Sequence, residues 1–175
     1  MSNYVILKVV IDMNEKYMKE AIKEAKKAYK KDEVPIGAVI VKDNKIIARA
    51  HNLKEKKQMV TSHAEIEAIH KAAKKLGTWH LEECDLYVTL EPCPMCAGAI
   101  QQSRMQHVYY GANDPKGGAI ESIVRLYEAK GFNHYPHTTG GVMEEECAKL
   151  LKDYFKEKRE KKKQAKQMIL ENNND

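Results

Sequence analysis

Nothing in this 175-residue sequence is apolar for long enough to cross a bilayer, which takes about 20 consecutive residues in a helix. Val5 to Ile11 is apolar but short, with neither a basic leader before it nor a small-residue cleavage site after it. It is therefore read as neither a membrane anchor nor an export signal. There is no internal repeat, so a solenoid is not expected. Cysteines number only four. Without an export signal the expected compartment is the reducing cytoplasm, where thiols and metal ligands are commoner than disulfides. What is there is ordinary for a globular protein: 43% hydrophobic and 31% charged residues, enough chain for one domain with a core and too little for two comfortable ones.

The formal net charge of +5 is unevenly placed. Between Lys152 and Lys166 eight basic residues face three acids, so this stretch alone holds the whole excess. A basic end on a neutral body suits a polyanion such as nucleic acid. A solvated helix that only confers solubility has the same composition, and charge alone does not choose between them.

The spacing of Tyr17, Met18, Ala21, Ile22, Ala25 and Ala28 predicts an amphipathic helix over Glu15 to Lys31. Strands are expected over Pro35 to Val41 and Lys45 to Ala50, joined as a hairpin by Asp43-Asn44. A polar loop, Asn52 to Ser62, leads to a helix over His63 to Leu76 that Gly77 closes. Further on come a strand at Asp85 to Leu90, a helix at Met95 to Arg104 and a strand at His107 to Tyr110. A turn-rich loop spans Asn113 to Gly118. A short helix is expected over Ile120 to Ala129, a weak strand over Thr138 to Val142, and a long helix from Met143 into the basic tail, frayed after Glu171. Strands separated by helices imply an α/β fold, a mixed sheet of about five strands with helices on its faces. Residues 13–155 form the expected domain and 156–175 its basic helical tail. Residues 1–12 precede it as an extension. An edge strand and a run upstream of a start near Met13 both fit that extension.

Two short motifs carry chemistry. His63-Ala64-Glu65 stands where a loop becomes a helix, and Pro92-Cys93-Pro94-Met95-Cys96 where a strand becomes another. Cysteines three apart at a helix start turn both sulfurs the same way, and the helix dipole there favours thiolates. With one imidazole, three protein ligands converge and leave the fourth tetrahedral position of a zinc ion open to water, the hallmark of a catalytic rather than a structural site. Two thiolates nearly neutralise the ion, so it acidifies water less than a three-histidine site would. A nearby base is then required, and Glu65, two residues from a ligand, is placed to be it. The ordered pair of motifs is the known signature of zinc nucleobase deaminases. Cys84 and Cys147 are read as small buried hydrophobes. Glu91, between strand and metal cysteine, is read as a hydrogen-bond acceptor, not a second base.

From about Tyr17 to Lys162 the sequence also resembles the bacterial tRNA-specific adenosine deaminases. The resemblance is carried by Glu33-Val-Pro-Ile-Gly-Ala-Val39, His63-Ala-Glu-Ile66, Leu86 to Ile100, Gly111-Ala-Asn-Asp-Pro-Lys116, Asn133-His134 and Asp153-Tyr-Phe155. It implies a three-layer αβα, cytidine deaminase-like fold. It also implies one Zn2+ per subunit, a homodimer, and conversion of the wobble adenosine to inosine in an anticodon stem-loop of an arginine tRNA. By the same resemblance Asn52 should bind the flipped nucleoside, Asp114 and Asn133 the neighbouring nucleotides, and Lys116, Lys158 and Arg159 the backbone. Splaying a loop base is easier than opening a duplex, which suits that substrate. After Lys116 the chain departs from the family's small residues with Gly118-Ala-Ile-Glu-Ser122, and a carboxylate at Glu121 would repel RNA unless it points away. A guanine deaminase would share the zinc motifs, and a zinc-stabilised RNA-binding module would share all but a use for Glu65.

Overall fold

The structure, a computed structural model, describes residues 3–172. Along the chain run α1 (Asn3–Tyr29), β1 (Gly37–Lys42), β2 (Lys45–His51), α2 (Lys54–Lys57), α3 (Ala64–Leu76), β3 (Asp85–Leu90), α4 (Pro94–Gln102), β4 (His107–Ala112), a 3-10 turn at Leu126–Glu128, β5 (His137–Thr139) and α5 (Glu144–Asn172). The sheet has the order β2-β1-β3-β4-β5. β1 pairs antiparallel with both β2 and β3, and β3-β4 and β4-β5 are parallel. This is the expected mixed five-stranded sheet.

The central strands are buried on both faces, and the side-chain period of two divides them between two cores. Ala38 and Ile40 of β1, Leu86 and Val88 of β3, and Val108 and Tyr110 of β4 face a cluster closed by Ala64, Ala68 and Ala72 of α3 and Ile100 of α4. Val39, Val41, Tyr87 and Ala112 face the other way, against Tyr17, Met18, Ala21 and Ile22 of α1 and Cys147 of α5. Three alanines at four-residue spacing let α3 lie close on the sheet. Cys84 and Cys147 are buried as small apolar side chains.

Three elements differ from expectation. The backbone is already helical at Asn3, so α1 starts well before Glu15 and residues 3–12 are helix rather than an edge strand. Met1, Ser2 and Asn173 to Asp175 lie outside the described residues, and with them most of the expected frayed end. The predicted helix over Ile120 to Ala129 shrinks to the turn at Leu126–Glu128. The amides of Ile120, Glu121 and Ser122 all point at the Glu91 carboxylate, and Arg125 adopts a left-handed φ of 49°, which no helix can run through. β5 ends at Thr139, before Gly140 and Gly141. Gly141 and Val142 still donate to the carbonyls of Gly111 and Tyr110, but irregularly.

Gly37 shows how closely α1 sits on the sheet. A Cβ there would stand 2.1 Å from the Ala21 carbonyl oxygen and 2.3 Å from the Ala25 amide nitrogen. Both obstacles are backbone and cannot rotate away. Gly37→Ala is expected to lower stability by about 3 kcal/mol, the upper range for overpacking, read as a shift of the urea midpoint. An unchanged midpoint would mean that α1 can slide off β1 at little cost.

Candidate active site

Two helices begin at the same place. His63 is the residue before α3 and Cys93 the residue before α4, each with extended backbone, and Pro94 takes the first helical position of α4. That position suits proline, because its missing N–H has no intrahelical partner there anyway. Nδ1 of His63 lies 3.7 Å from Sγ of Cys93 and 3.6 Å from Sγ of Cys96, and the three donor atoms lie within 4.8 Å of one another. A tetrahedral zinc bonded at about 2.3 Å to sulfur and about 2.0–2.1 Å to nitrogen sets those atoms about 3.6 Å apart. The donor set therefore fits that ion in type, number and spacing. Among the described residues it is the one group of metal-ligating side chains so arranged, and neither Cys84 nor Cys147 joins it.

The two thiols are not equivalent. Hydrogen bonding from Cys96, then the imidazole of His63, brings the Cys93 thiol down to about 4. Cys96, which supplies that proton and is buried beside Glu65, is pushed far up. The Cys93 sulfur in turn raises the imidazole of His63 against the opposing effect of burial. The two sulfurs thus share one proton, held on Cys96, and releasing it calls for a cation at the centre of the donors. Glu65 is 3% exposed, and burial, opposed by the nearby His63, lifts its carboxyl to about 6. Its Oε2 has no hydrogen-bond partner. A buried carboxylate oxygen beside a metal-ligating set, unused by the fold, is available to a substrate or to water.

Asn52 is held close to the start of α3 by main-chain bonds. Its amide donates to the Ile36 carbonyl (3.0 Å), and the next residue, Leu53, donates to Ser62 (3.0 Å), one residue before His63. Its side chain is buried and Oδ1 is unpartnered. Glu33, for which sequence reasoning gave no role, lies directly behind it. Its carboxylate accepts from Asn52 Nδ2 (3.4 Å) and from the amides of Glu55 (3.1 Å) and Lys56 (2.7 Å) at the start of α2. No pattern could have found this, since the donors are mostly main chain about twenty residues away.

Asp114, Lys116 and Arg159 line one cleft of about 680 Å³, with Lys152 and Phe155 of α5 and Leu90 at the end of β3. Lys158 faces a neighbouring cleft and pairs with Asp32. Glu121 is exposed, with its amide turned toward Glu91 and its carboxylate close to the Tyr110 hydroxyl. Asn133 is not brought to this group. The adjoining His134 hydrogen-bonds to Gln101 in the last turn of α4 and to Met105 just after it, about 12 Å along that helix from Cys93 and about 7.5 Å from Cys96.

Glu91 ties the cysteine turn to this cleft. It is 2% exposed and accepts from the amides of Asp114 (3.0 Å), Ile120 (3.0 Å), Glu121 (2.7 Å) and Ser122 (3.0 Å), as well as from the Ser122 hydroxyl. It is the acceptor the sequence suggested. A side chain on Gly118 would collide with it, the added Cβ standing 2.2 Å from Oε2.

A model of MafB19-like deaminases matches residues 12–159. The chain is similar to the tRNA-specific adenosine deaminase of Bacillus subtilis (strain 168), with 55% identity over 158 residues that cover 90% of this chain and 98% of that relative. Among solved structures it resembles one from a study of A-to-I editing by tRNA:A34 deaminases, with a TM-score of 0.75 and 49% identity over 77% of this chain and 98% of the other. It also resembles a guanine deaminase from Bacillus subtilis, with a TM-score of 0.54 and 44% identity over 57% of this chain and 64% of that one.

Glu91→Gln places an amino group among donors. It is expected to cost about 2 kcal/mol, the scale for hydrogen bonds to a charged group, measured by urea unfolding. An unshifted midpoint would mean that water satisfies those amides equally well.

Proposed function

The chain belongs to the MafB19-like deaminase family, and we propose that it converts the wobble adenosine of a tRNA anticodon to inosine by zinc-dependent hydrolysis. One observation carries the chemistry: three metal-ligating side chains converge beside a buried carboxylate whose outer oxygen is unpartnered. The substrate rests on the similarity to tRNA-specific adenosine deaminases and on the basic cleft beside the site.

Zinc held by His63, Cys93 and Cys96 would supply Lewis acidity, which makes water a nucleophile near neutral pH. Glu65 then manages the protons. Its carboxylate takes one from the attacking water and delivers it to N1 of the ring, so that C6 accepts oxygen. It then carries the second to the exocyclic nitrogen as the C6–N6 bond breaks and ammonia leaves. A carboxyl lifted to about 6 by burial can both accept and return a proton at neutral pH. Asn52 holds the flipped nucleoside. Asp114 bonds its own turn through Oδ1 and the Lys116 amide (3.0 Å), which orients Lys116 and the loop toward the anticodon. Lys116, Arg159 and Lys158, for which a phosphate would compete with Asp32, hold phosphates. The remaining parts of the reading, an arginine tRNA as substrate and a homodimer, rest on the resemblance alone.

A free-base guanine deaminase is the reading to separate from this one. A lone base needs no cationic cleft outside the catalytic pocket, whereas an anticodon loop does. Incubated separately with guanine and with an anticodon stem-loop, the protein is expected to release ammonia and form inosine only from the RNA. Ammonia from guanine alone would overturn the tRNA reading. In the same assay Glu65→Gln is expected to keep zinc and RNA binding and to lose turnover by about 10²–10⁴-fold, the scale of general acid–base catalysis. Undiminished turnover would remove Glu65 from the mechanism.

The cleft makes a separate claim. Lys116→Ala and Arg159→Ala are each expected to reduce the slope of log binding constant against log salt by about 0.7, the value for one single-strand phosphate contact, in stem-loop binding titrations. Slopes equal to that of the unaltered protein would place the RNA elsewhere.

A further inference from the structure

Glu33 is fully buried. Every partner it has is a donor: the amides of Glu55 and Lys56 and the side-chain nitrogen of Asn52. An ionised carboxylate has no proton to give, so it tolerates only the nitrogen side of the Asn52 amide. With the amide reversed, two oxygens would face each other about 3.4 Å apart in a buried place. The orientation of an asparagine amide is normally free to follow its ligand, and here the fold decides it. Nδ2 spends one hydrogen on Glu33, and the amide oxygen that this orientation leaves for a substrate is Oδ1, buried, without any partner and able only to accept.

We propose that Glu33 is a specificity-determining residue: by fixing the Asn52 amide, it makes the site read a hydrogen-bond donor on the nucleoside, the ribose 2′-hydroxyl. This rests on the reading of Asn52 as the nucleoside-binding residue. The donor follows by elimination. A flipped adenosine within a chain has its 3′ and 5′ oxygens in phosphodiester links. Its ring nitrogens only accept. Its exocyclic amine is the leaving group and must face Glu65. The 2′-hydroxyl is the donor left, and it is the group that distinguishes RNA from DNA. A buried acceptor left unpaired by a substrate lacking that donor penalises it. Glu33 touches no reacting atom and acts only through Asn52.

The test uses two anticodon stem-loops identical except for adenosine or 2′-deoxyadenosine at the target nucleotide. The readout is the ratio of kcat/KM between them, with zinc content and Tm recorded for every variant. The unaltered protein is expected to prefer the ribose target at least 10-fold. Glu33→Gln can keep its oxygen for the Lys56 amide while its amino group takes the place of the oxygen that Asn52 and the Glu55 amide share, which turns Asn52 around and should bring the ratio to near one. Glu33→Asp keeps an acceptor-only carboxylate and should retain most of the preference. The double variant Glu33→Gln with Asn52→Asp is the sharpest arm. The introduced glutamine amide then donates to one oxygen of the introduced carboxylate and leaves the other facing the substrate, so the ratio should recover even if absolute rates stay low.

If Glu33→Gln lowers both rates equally and leaves the ratio intact, Glu33 is merely structural and the proposal is overturned. It is also overturned if the double variant fails to restore the ratio, or if the unaltered protein does not discriminate. Asn52→Ala separates the two levels of the argument. Loss of the ratio in that variant with none in Glu33→Gln would sink the role of Glu33 alone, whereas unaltered rates in Asn52→Ala would sink the reading of Asn52.

Discussion

Two helices that must start at one point set the terms for the rest of this structure. His63 and Cys93 each sit one residue ahead of a helix, at the end of the sheet where β3 finishes. Every donor atom of the metal-ligating set belongs to those two starts. The site is thus only as well placed as α3 and α4 are on the sheet. The small-residue face of α3 and the Ile100 contact of α4 in the same core provide that placement. The crevice beyond the carboxyl ends of strands is the common ligand position in open α/β sheets. Antiparallel β1 then adds something a wholly parallel sheet would not: it brings its own beginning, with Glu33 just ahead, to that same end, where the Gly37 amide bonds to Thr89 (3.2 Å).

One physical device is used twice. Main-chain donors are gathered onto one buried carboxylate, those of the first turn of α2 onto Glu33 and those of the irregular loop after β4 onto Glu91. Loops without regular structure have amides to satisfy, and a carboxylate can satisfy several at once. This also accounts for how the loop after Gly118 accommodates Glu121. Its amide points to Glu91 and its carboxylate lies near the Tyr110 hydroxyl, so the acid has company within the fold and is not forced onto a bound polyanion.

Much of this was legible in the amino acids. The strands of the hairpin, β3 and β4 announced themselves because both periodicity and turn residues agreed. The ligand trio and Glu65 were readable because helix starts fix where neighbouring side chains point. Glu91 was placed as an acceptor from its position alone. The misses share a cause. The segment around Ile120 has helical composition, but its amides answer to a carboxylate some thirty residues earlier. The first turns of α1 carry no polar face at Val5 to Ile11 by which a surface helix would be recognised. The role of Glu33 depends on main-chain groups, which leave no trace in side-chain patterns.

Beyond Arg159, α5 continues through Asn172. Thirteen further residues at 1.5 Å each make a rod of about 20 Å, exposed as far as Leu170. It carries Lys161, Lys162, Lys163 and Lys166. At physiological ionic strength a surface charge is felt over about 8 Å. A cationic spar of this length therefore carries the protein's positive field more than twice as far as charges seated on its body could. Its effect falls on how often a polyanion is captured rather than on how tightly it is gripped.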